Sequence, residues 1–373
     1  MIEIDIEATL STFALAAKFI APTTGITALF GRSGAGKTSI VNALAGLLTP
    51  SRGRIAVRGK VLFDSAHKIN LPPEKRRLGY IFQEGRLFPH YSVRGNLLYG
   101  TKRTDAAAFD RVVALLGLGS LLGRRPGDLS GGEKQRVAIG RAILAEPRLL
   151  LMDEPLAALD AARKEEIFPF IAALRGALDI PVVYVSHAME EVIRLADTLV
   201  LVDGGKIAAT GTVEALTSRL DLRPLTGRFE AGAVIRTVLR GHDKVYGLSE
   251  LAFPGGRLRV PHVDLPLGTP LRIRIQARDI VLATAPPSGL SIRNAFAGRV
   301  VEIAPDKGPL VDLRLDIGTA AEPVMLWVRI TQRALADLRL QVGSPVHALV
   351  KTVALERPSP GGGRAFGEAH EAV

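Results

Sequence analysis

Isoleucines at positions 2, 4 and 6 alternate with acids, the period-two pattern of a half-buried strand. Three short runs are predominantly apolar: 26–30 (ITALF), 149–152 (LLLM) and 182–185 (VVYV). Such runs suit a parallel sheet covered by helices on both faces. Between them Ile40, Val41, Leu44 and Leu47 recur at helical spacing, and further helical patterns lie near 104–117, 133–145 and 161–177. The alternation predicts an α/β fold to about residue 215. The character changes after Thr217. From about 232 onward short alternating segments dominate (VIRTVL, LRIRIQ, GRVVEI, VDLRLDI, MLWVRI), punctuated by Gly and Pro. That pattern predicts a smaller all-β C-terminal region of small barrels or sandwiches, divisible into two β units. The expected bounds are 1–230 for the α/β domain, 231–288 and 289–356 for the β units, and a Gly/Pro-rich, charged tail at 357–373 expected to be disordered.

A chain of 373 residues predicts two or three domains, and a hydrophobic share of 47% is enough to fill their cores. There are no cysteines, which removes disulfides, thiolate metal sites and cysteine nucleophiles. The net charge of +11 is scattered along the chain. It fits nucleic acid, anionic lipid or anionic ligands, and equally no single partner. The N-terminus lacks the basic start and apolar block of a signal peptide. No apolar stretch approaches the roughly 18 residues that cross a bilayer.

GRSGAGKT at Gly31–Thr38 fits the phosphate-loop pattern G-x-x-x-x-G-K-[ST], between a predicted strand and a predicted helix. Gly31, Gly34 and Gly36 let backbone N–H groups turn inward, and the helix presents its positive end to an anion. The expected nucleotide-binding stretch is Gly31, Arg32, Ser33, Gly34, Ala35, Gly36, Lys37, Thr38 and Ser39, with Lys37 on the phosphates and Thr38 on Mg²⁺. Asp153 and Glu154 follow the run LLLM, at the sheet edge where α/β proteins bind ligands. Beside a phosphate loop they read as a Mg²⁺ ligand and a general base for water, rather than as a solvated loop. His187 closes the strand VVYVS at the same edge, within reach of a γ-phosphate. Gln83 follows another apolar segment and reads either as a donor to the water or as part of the Mg²⁺ shell.

LSGGEKQR at Leu129–Arg136 resembles the signature motif of ABC transporter ATPases. In that family a phosphate loop, Gln loop, signature, Asp-Glu pair, Asp loop and His switch recur in order. Here they correspond to Gly31–Thr38, Gln83, Ser130–Glu133, Asp153–Glu154, Asp160 and His187. The resemblance covers about residues 1–215. It implies an α/β P-loop NTPase (ABC ATPase) domain with a helical subdomain at about 84–145. It also implies a homodimer in which Ser130, Gly131, Gly132 and Asp160 face the ATP held by the partner protomer. Ala157 stands where the family often has Ser. Phe13 is the candidate for stacking on adenine, and reads equally well as core.

The β region resembles the accessory domain of bacterial importer ATPases, an OB-like barrel. EKRRLGYIFQEGRLFPHYSVRGNLLYG at 74–100 resembles the ATP-binding subunits of molybdate importers. Ser291-Ile292-Arg293-Asn294 resembles the start of the small molybdate-binding barrel, with Thr331 and Lys351 at later positions. A tetrahedral dianion wants cations and hydroxyl or amide donors, which Ser291, Arg293, Asn294, Thr331 and Lys351 supply. Molybdate, tungstate and sulfate share shape and charge, so the ion stays open. Residues 84–96, with Phe88, Pro89 and Tyr91, read as a docking site for the permease or as subdomain core. The resemblance thus implies a peripheral subunit on the cytoplasmic face of the bacterial inner membrane. Its expected cofactors are ATP and Mg²⁺, with molybdate as a regulatory ligand. Its expected partners are two membrane permease subunits and, indirectly, a periplasmic molybdate-binding protein, with no nucleic acid. The rival readings are the same machine for tungstate, sulfate, a sugar or a polyamine, and a soluble ABC ATPase uncoupled from transport.

Overall fold

The structure, a computed structural model, describes residues 1–10, 13–101, 105–177, 180–226, 232–304, 308–352 and 359–360. The chain divides into two compact units, Met1–Gly211 and Thr212–Val373. The break falls at residue 212, inside the 1–230 span expected for the α/β domain.

The strands of the first unit are β1 (Ile2–Leu10), β2 (Phe13–Ala21), β3 (Ile26–Phe30), β4 (Arg52–Val57), β5 (Lys60–Asp64), β6 (Ile69–Asn70), β7 (Leu78–Ile81), β8 (Leu149–Asp153), β9 (Val182–Ser186), β10 (Thr198–Asp203) and β11 (Lys206–Thr212). Its helices are α1 (Lys37–Ala45), α2 (Pro73–Arg76), α3 (Val93–Leu98), α4 (Ala106–Leu115), α5 (Gly131–Leu144), α6 (Ala161–Ala177) and α7 (Met189–Leu195). One eleven-stranded sheet runs β6-β5-β4-β1-β2-β11-β10-β3-β9-β8-β7. Strands β10, β3, β9, β8 and β7 are mutually parallel, so their carboxyl ends share one edge. The predominantly apolar runs are central here because helices cover both faces: β3 is buried at all five positions. The N-terminal arm differs from the expected parallel sheet. β1 pairs antiparallel with β2 and β4, and its alternating isoleucines turn inward. Helices α3 and α4 each pack on α5, in an apolar cluster that includes Val93, Leu97, Phe109, Val112, Val137 and Ile139.

The second unit opens with α8 (Val213–Thr217) and α9 (Arg223–Thr226). Its strands are β12 (Gly232–Asp243), β13 (Leu248–Phe253), β14 (Gly256–Pro261), β15 (Pro270–Gln276), β16 (Ile280–Ala283), β17 (Asn294–Ile303), β18 (Leu310–Asp316), β19 (Met325–Thr331), β20 (Pro345–Val350) and β21 (Ser359–Pro360), and α10 (Gln332–Asp337) follows β19. They form two five-stranded sheets, β14-β13-β12-β15-β21 and β16-β20-β17-β18-β19. The two β units expected from sequence are therefore not independent. Residues 280–283 pair with β20 in the second sheet, and apolar residues of both sheets fill one core. Of the tail expected to be disordered, Ser359–Pro360 pairs with β15, and its other residues lie outside the described ones.

Candidate active site

Strand β3 delivers the chain into the glycine loop, and α1 begins at Lys37. A Cβ on Gly31 would stand 2.1 Å from the Val202 carbonyl oxygen on β10, so only glycine fits. Gly36 has φ +101°, a left-handed conformation that favours glycine, and no side chain caps α1. The first N–H groups of that helix are therefore left for an external acceptor, the arrangement that suits phosphate. Arg32, Ser33 and Gly34 form the exposed tip, Ala35 is buried, and Ser39 is half-buried. The Lys37 ammonium folds back across the loop, donating to the carbonyls of Gly31 (2.8 Å) and Arg32 (3.0 Å). Burial pulls the Lys37 pKa down, and the charges of Glu154 and Asp153 oppose that shift.

Asp153 ends β8 beside the loop. The Thr38 hydroxyl donates to its Oδ1 at 3.1 Å. The Tyr80 hydroxyl lies 3.2 Å from Oδ2 and 3.1 Å from Asn42 Oδ1, and its one proton goes to the carboxylate, the stronger acceptor. Burial raises the Asp153 pKa, with Glu154 adding to it, while hydrogen bonds from Thr38 and Tyr80 and the charge of Lys37 work against the rise. This all-oxygen pair, a hydroxyl touching a carboxylate, fits Mg²⁺. Glu154 has φ +47°. Its N–H bonds the Val185 carbonyl at 3.1 Å, which pins this conformation to β9. The side chain then lies between His187 and Lys37. Its Oε2 is 3.2 Å from His187 Nδ1, and its Oε1 is 3.9 Å from Lys37 Nζ. Gln83 is exposed two residues beyond β7, at the same sheet edge.

Ser130 caps α5 in a reciprocal box. Its Oγ accepts from Glu133 N (3.2 Å), and its N–H donates to Glu133 Oε2 (2.7 Å). That backbone bond chiefly holds the Glu133 carboxyl below its ordinary pKa. The two glycines that follow have a packing reason the sequence reading lacked. A Cβ on Gly131 would meet Leu159 at 3.0 Å, and one on Gly132 would touch Ile167 at 3.4 Å. Asp160 is exposed, and its Oδ1 caps the start of α6 by accepting from Arg163 N at 2.9 Å. Phe13 is half-buried and faces the glycine loop: a Cβ on Gly36 would lie 3.1 Å from its ring.

The ABC transporter family profile matches residues 17–157, and the TOBE domain profile matches residues 290–355. The molybdenum import ATP-binding protein of Paramagnetospirillum magneticum is 57% identical over 337 residues, covering 89% of this chain and 92% of that one. Its namesake from Mesorhizobium japonicum is 48% identical over 366 residues, covering 97% and 98%. The chain belongs to the ABC transporter ATP-binding family. A solved Clostridium perfringens protein, part of an ABC transporter complex, superposes with a TM-score of 0.50 at 23% identity. It covers 59% of this chain and 91% of its own, and shares the fold.

This ABC transporter protein does not gather its expected oxyanion residues in one place. Asn294 opens β17 and pairs with Val350, so Ser291, Arg293 and Lys351 lie near the same end of the sheet. Ser291, Arg293 and Lys351 are exposed. Thr331 closes β19, which runs in the same direction as β17 on the far side of β18, and therefore lies at the opposite end. Thr331 Oγ1 caps α10 by accepting from Ala334 N at 3.1 Å. Asn294 is fully buried. Its amide takes the Arg259 N–H at 2.7 Å and gives to the Arg259 carbonyl at 3.0 Å, clamping the two sheets together.

Sequence reasoning missed Tyr80 and Asn42. The available signal was spacing: Tyr80 lies two residues before the end of the segment that leads to Gln83, and Asn42 lies one helical turn beyond Thr38 on α1.

Proposed function

We propose that this chain is the ATP-hydrolysing subunit that drives molybdate import through an ABC transporter. It works as a homodimer on two permease subunits, at the cytoplasmic face of the bacterial inner membrane. A periplasmic molybdate-binding protein would supply the cargo. The observation that carries the hydrolytic role is the convergence of Lys37, Glu154 and His187 beside an uncapped glycine loop. The names of relatives about half identical over nine-tenths of the chain support the cargo.

In this reading residues 31–39 cradle the triphosphate, and Thr38, Asp153 and Gln83 take Mg²⁺, which neutralises phosphate charge when bound. Glu154 accepts the proton of the attacking water. His187 holds the Glu154 carboxylate and contacts the γ-phosphate. Ser130, Gly131, Gly132 and Asp160 serve the nucleotide of the partner protomer. Among the described residues no helix is long and apolar enough to cross a membrane, which fits a subunit that docks on a separate permease. The segment from Phe88 to Tyr91 is the proposed docking site. Arg293 and Lys351 are the proposed cations for a regulatory molybdate, while Asn294 and Thr331 are occupied in the fold.

The test is uptake of labelled molybdate by cells carrying the intact chain or a Glu154→Gln chain. Uptake should depend on Glu154 and resist excess sulfate. Competition by sulfate at equal concentration would assign a broader or different oxyanion.

A further inference from the structure

The catalytic edge carries a buried charge that the hydrolytic reading leaves without a role. Glu191, on α7, is 4% exposed, and both its oxygens are engaged. Oε1 accepts from Lys164 Nζ at 2.9 Å. Oε2 accepts from Tyr184 OH at 2.9 Å and Ser186 Oγ at 2.7 Å. A carboxylate taken out of water persists only when its lone pairs are this fully matched. The three donors come from two places. Tyr184 and Ser186 end β9, directly before His187. Lys164 sits on α6, and its backbone N–H bonds the Asp160 carbonyl at 3.0 Å, closing the first turn of that helix.

Ser186 makes the link directional. Its hydroxyl has one proton, which goes to Glu191, the nearer acceptor. Its lone pair receives the Ala188 N–H at 3.0 Å. The residues on both sides of His187 are therefore tied to one buried carboxylate. A second clamp joins the same helices on their outer face, where Arg194 pairs with Glu165 (Nη2 to Oε2, 2.9 Å) and stacks over the Phe168 ring at 3.9 Å. That outer clamp involves neither Ser186 nor the His187 turn.

We infer that Lys164 and Glu191 are positioning residues for hydrolysis: they fix the His187 turn to the first turn of α6, so that displacing Asp160 displaces His187 against Glu154. The inference rests on the hydrolytic reading of Glu154 and His187. It predicts that the link sets turnover rather than nucleotide affinity, because the phosphate cradle lies on β3 and α1.

The experiment measures steady-state ATPase activity of the full chain, with rates divided by nucleotide-binding stoichiometry so that unfolded molecules do not count. Lys164→Met should lower kcat about tenfold with KM for ATP within about twofold, and Lys164→Arg should restore most of the rate. Glu191→Gln should behave like Lys164→Met, and the double variant should be no worse than the weaker single variant. Arg194→Met, which breaks only the outer clamp, should keep kcat within about twofold. An unchanged kcat in Lys164→Met, additive losses in the double variant, or an equal loss in Arg194→Met would each overturn the inference. Glu154→Gln, assayed in parallel, separates the two readings. If it hydrolyses ATP normally the catalytic assignment fails, whatever the Lys164 result.

Discussion

The Tyr80 hydroxyl lies 3.2 Å from Oδ2 of Asp153, while Thr38 holds Oδ1. Burial disfavours the Asp153 charge, and these two donors counter it. A Tyr80→Phe chain keeps the ring stacked on Phe82 (centroids 4.1 Å apart) but loses one donor to the carboxylate. A hydrogen bond to a charged acceptor contributes about 1.5–3 kcal/mol, so kcat/KM for MgATP should fall at least about tenfold. The Mg²⁺ concentration for half-maximal rate should rise with it. ATPase titrations in Mg²⁺ check this, and an unchanged titration would remove Tyr80 from the site.

Glu154 sits at φ +47°, where a side chain costs about 1 kcal/mol that glycine does not. Glu154→Gln leaves that cost in place and removes the base. Hydrolysis should drop at least about a hundredfold while ATP binding persists. Glu154→Gly should be equally inactive yet melt at a higher temperature than the Gln chain. Calorimetry beside the rate assay decides whether the backbone here is held under strain for the sake of the carboxylate. A Gly chain no more stable than the Gln chain would show that it is not.

The scaffold of the candidate site was legible because each part is local. A strand, a glycine loop and a helix within Ile26–Ala45, and a carboxylate pair at a strand end, are set by neighbours in sequence. What escaped was non-local. The alternation of 13–21 (FALAAKFIA) suits a strand, but only its nine-residue register with β1 makes it one. The exchange of residues 280–283 into the second sheet depends on β20, more than sixty residues later. Asn294 looked like an anion ligand because its type suits one, and only the fold commits its amide to Arg259. Residue type names the chemistry available; the partner within reach decides which chemistry is used.

Asn96 is fully buried on α3 and holds the loop before it. Its Oδ1 accepts from Phe88 N (2.8 Å), and its Nδ2 reaches the carbonyls of Phe88 (3.1 Å), Tyr91 (3.3 Å) and Ser92 (3.1 Å). No other residue type supplies an acceptor and two donors in that space. Asn96→Ala should destabilise the first unit by about 2–3 kcal/mol, because several backbone groups lose their partner. It should also loosen Phe88 and Tyr91, the proposed permease contact. Permease-stimulated ATPase should then fall more than the basal rate does. Equal falls in the two rates would assign Asn96 to folding alone.

Glu214 links α8 to the first β sheet of the second unit, accepting from Arg236 Nε at 2.7 Å and Arg272 Nε at 2.8 Å. Burial by itself raises the Glu214 pKa. The charges of Arg272 and Arg236 and the Arg236 hydrogen bond outweigh it, so the folded pKa lies below the ordinary 4.5. A group with a depressed folded pKa stabilises the fold above its unfolded pKa, and that contribution is lost as pH falls through the folded value. The second unit should therefore lose stability on acidification below about pH 4.5. Trp327 is the one tryptophan of the chain and is 1% exposed within this unit, so its fluorescence reports unfolding there. At pH 7 a Glu214→Gln chain should unfold at lower urea, by about 2 kcal/mol or more, because a charge partner is taken from two buried or half-buried arginines. As pH falls below about 4.5 the two urea curves should converge, since protonation does to the native chain what the substitution has already done. Curves that stay parallel through that fall would place the acid sensitivity of this unit in some other carboxylate.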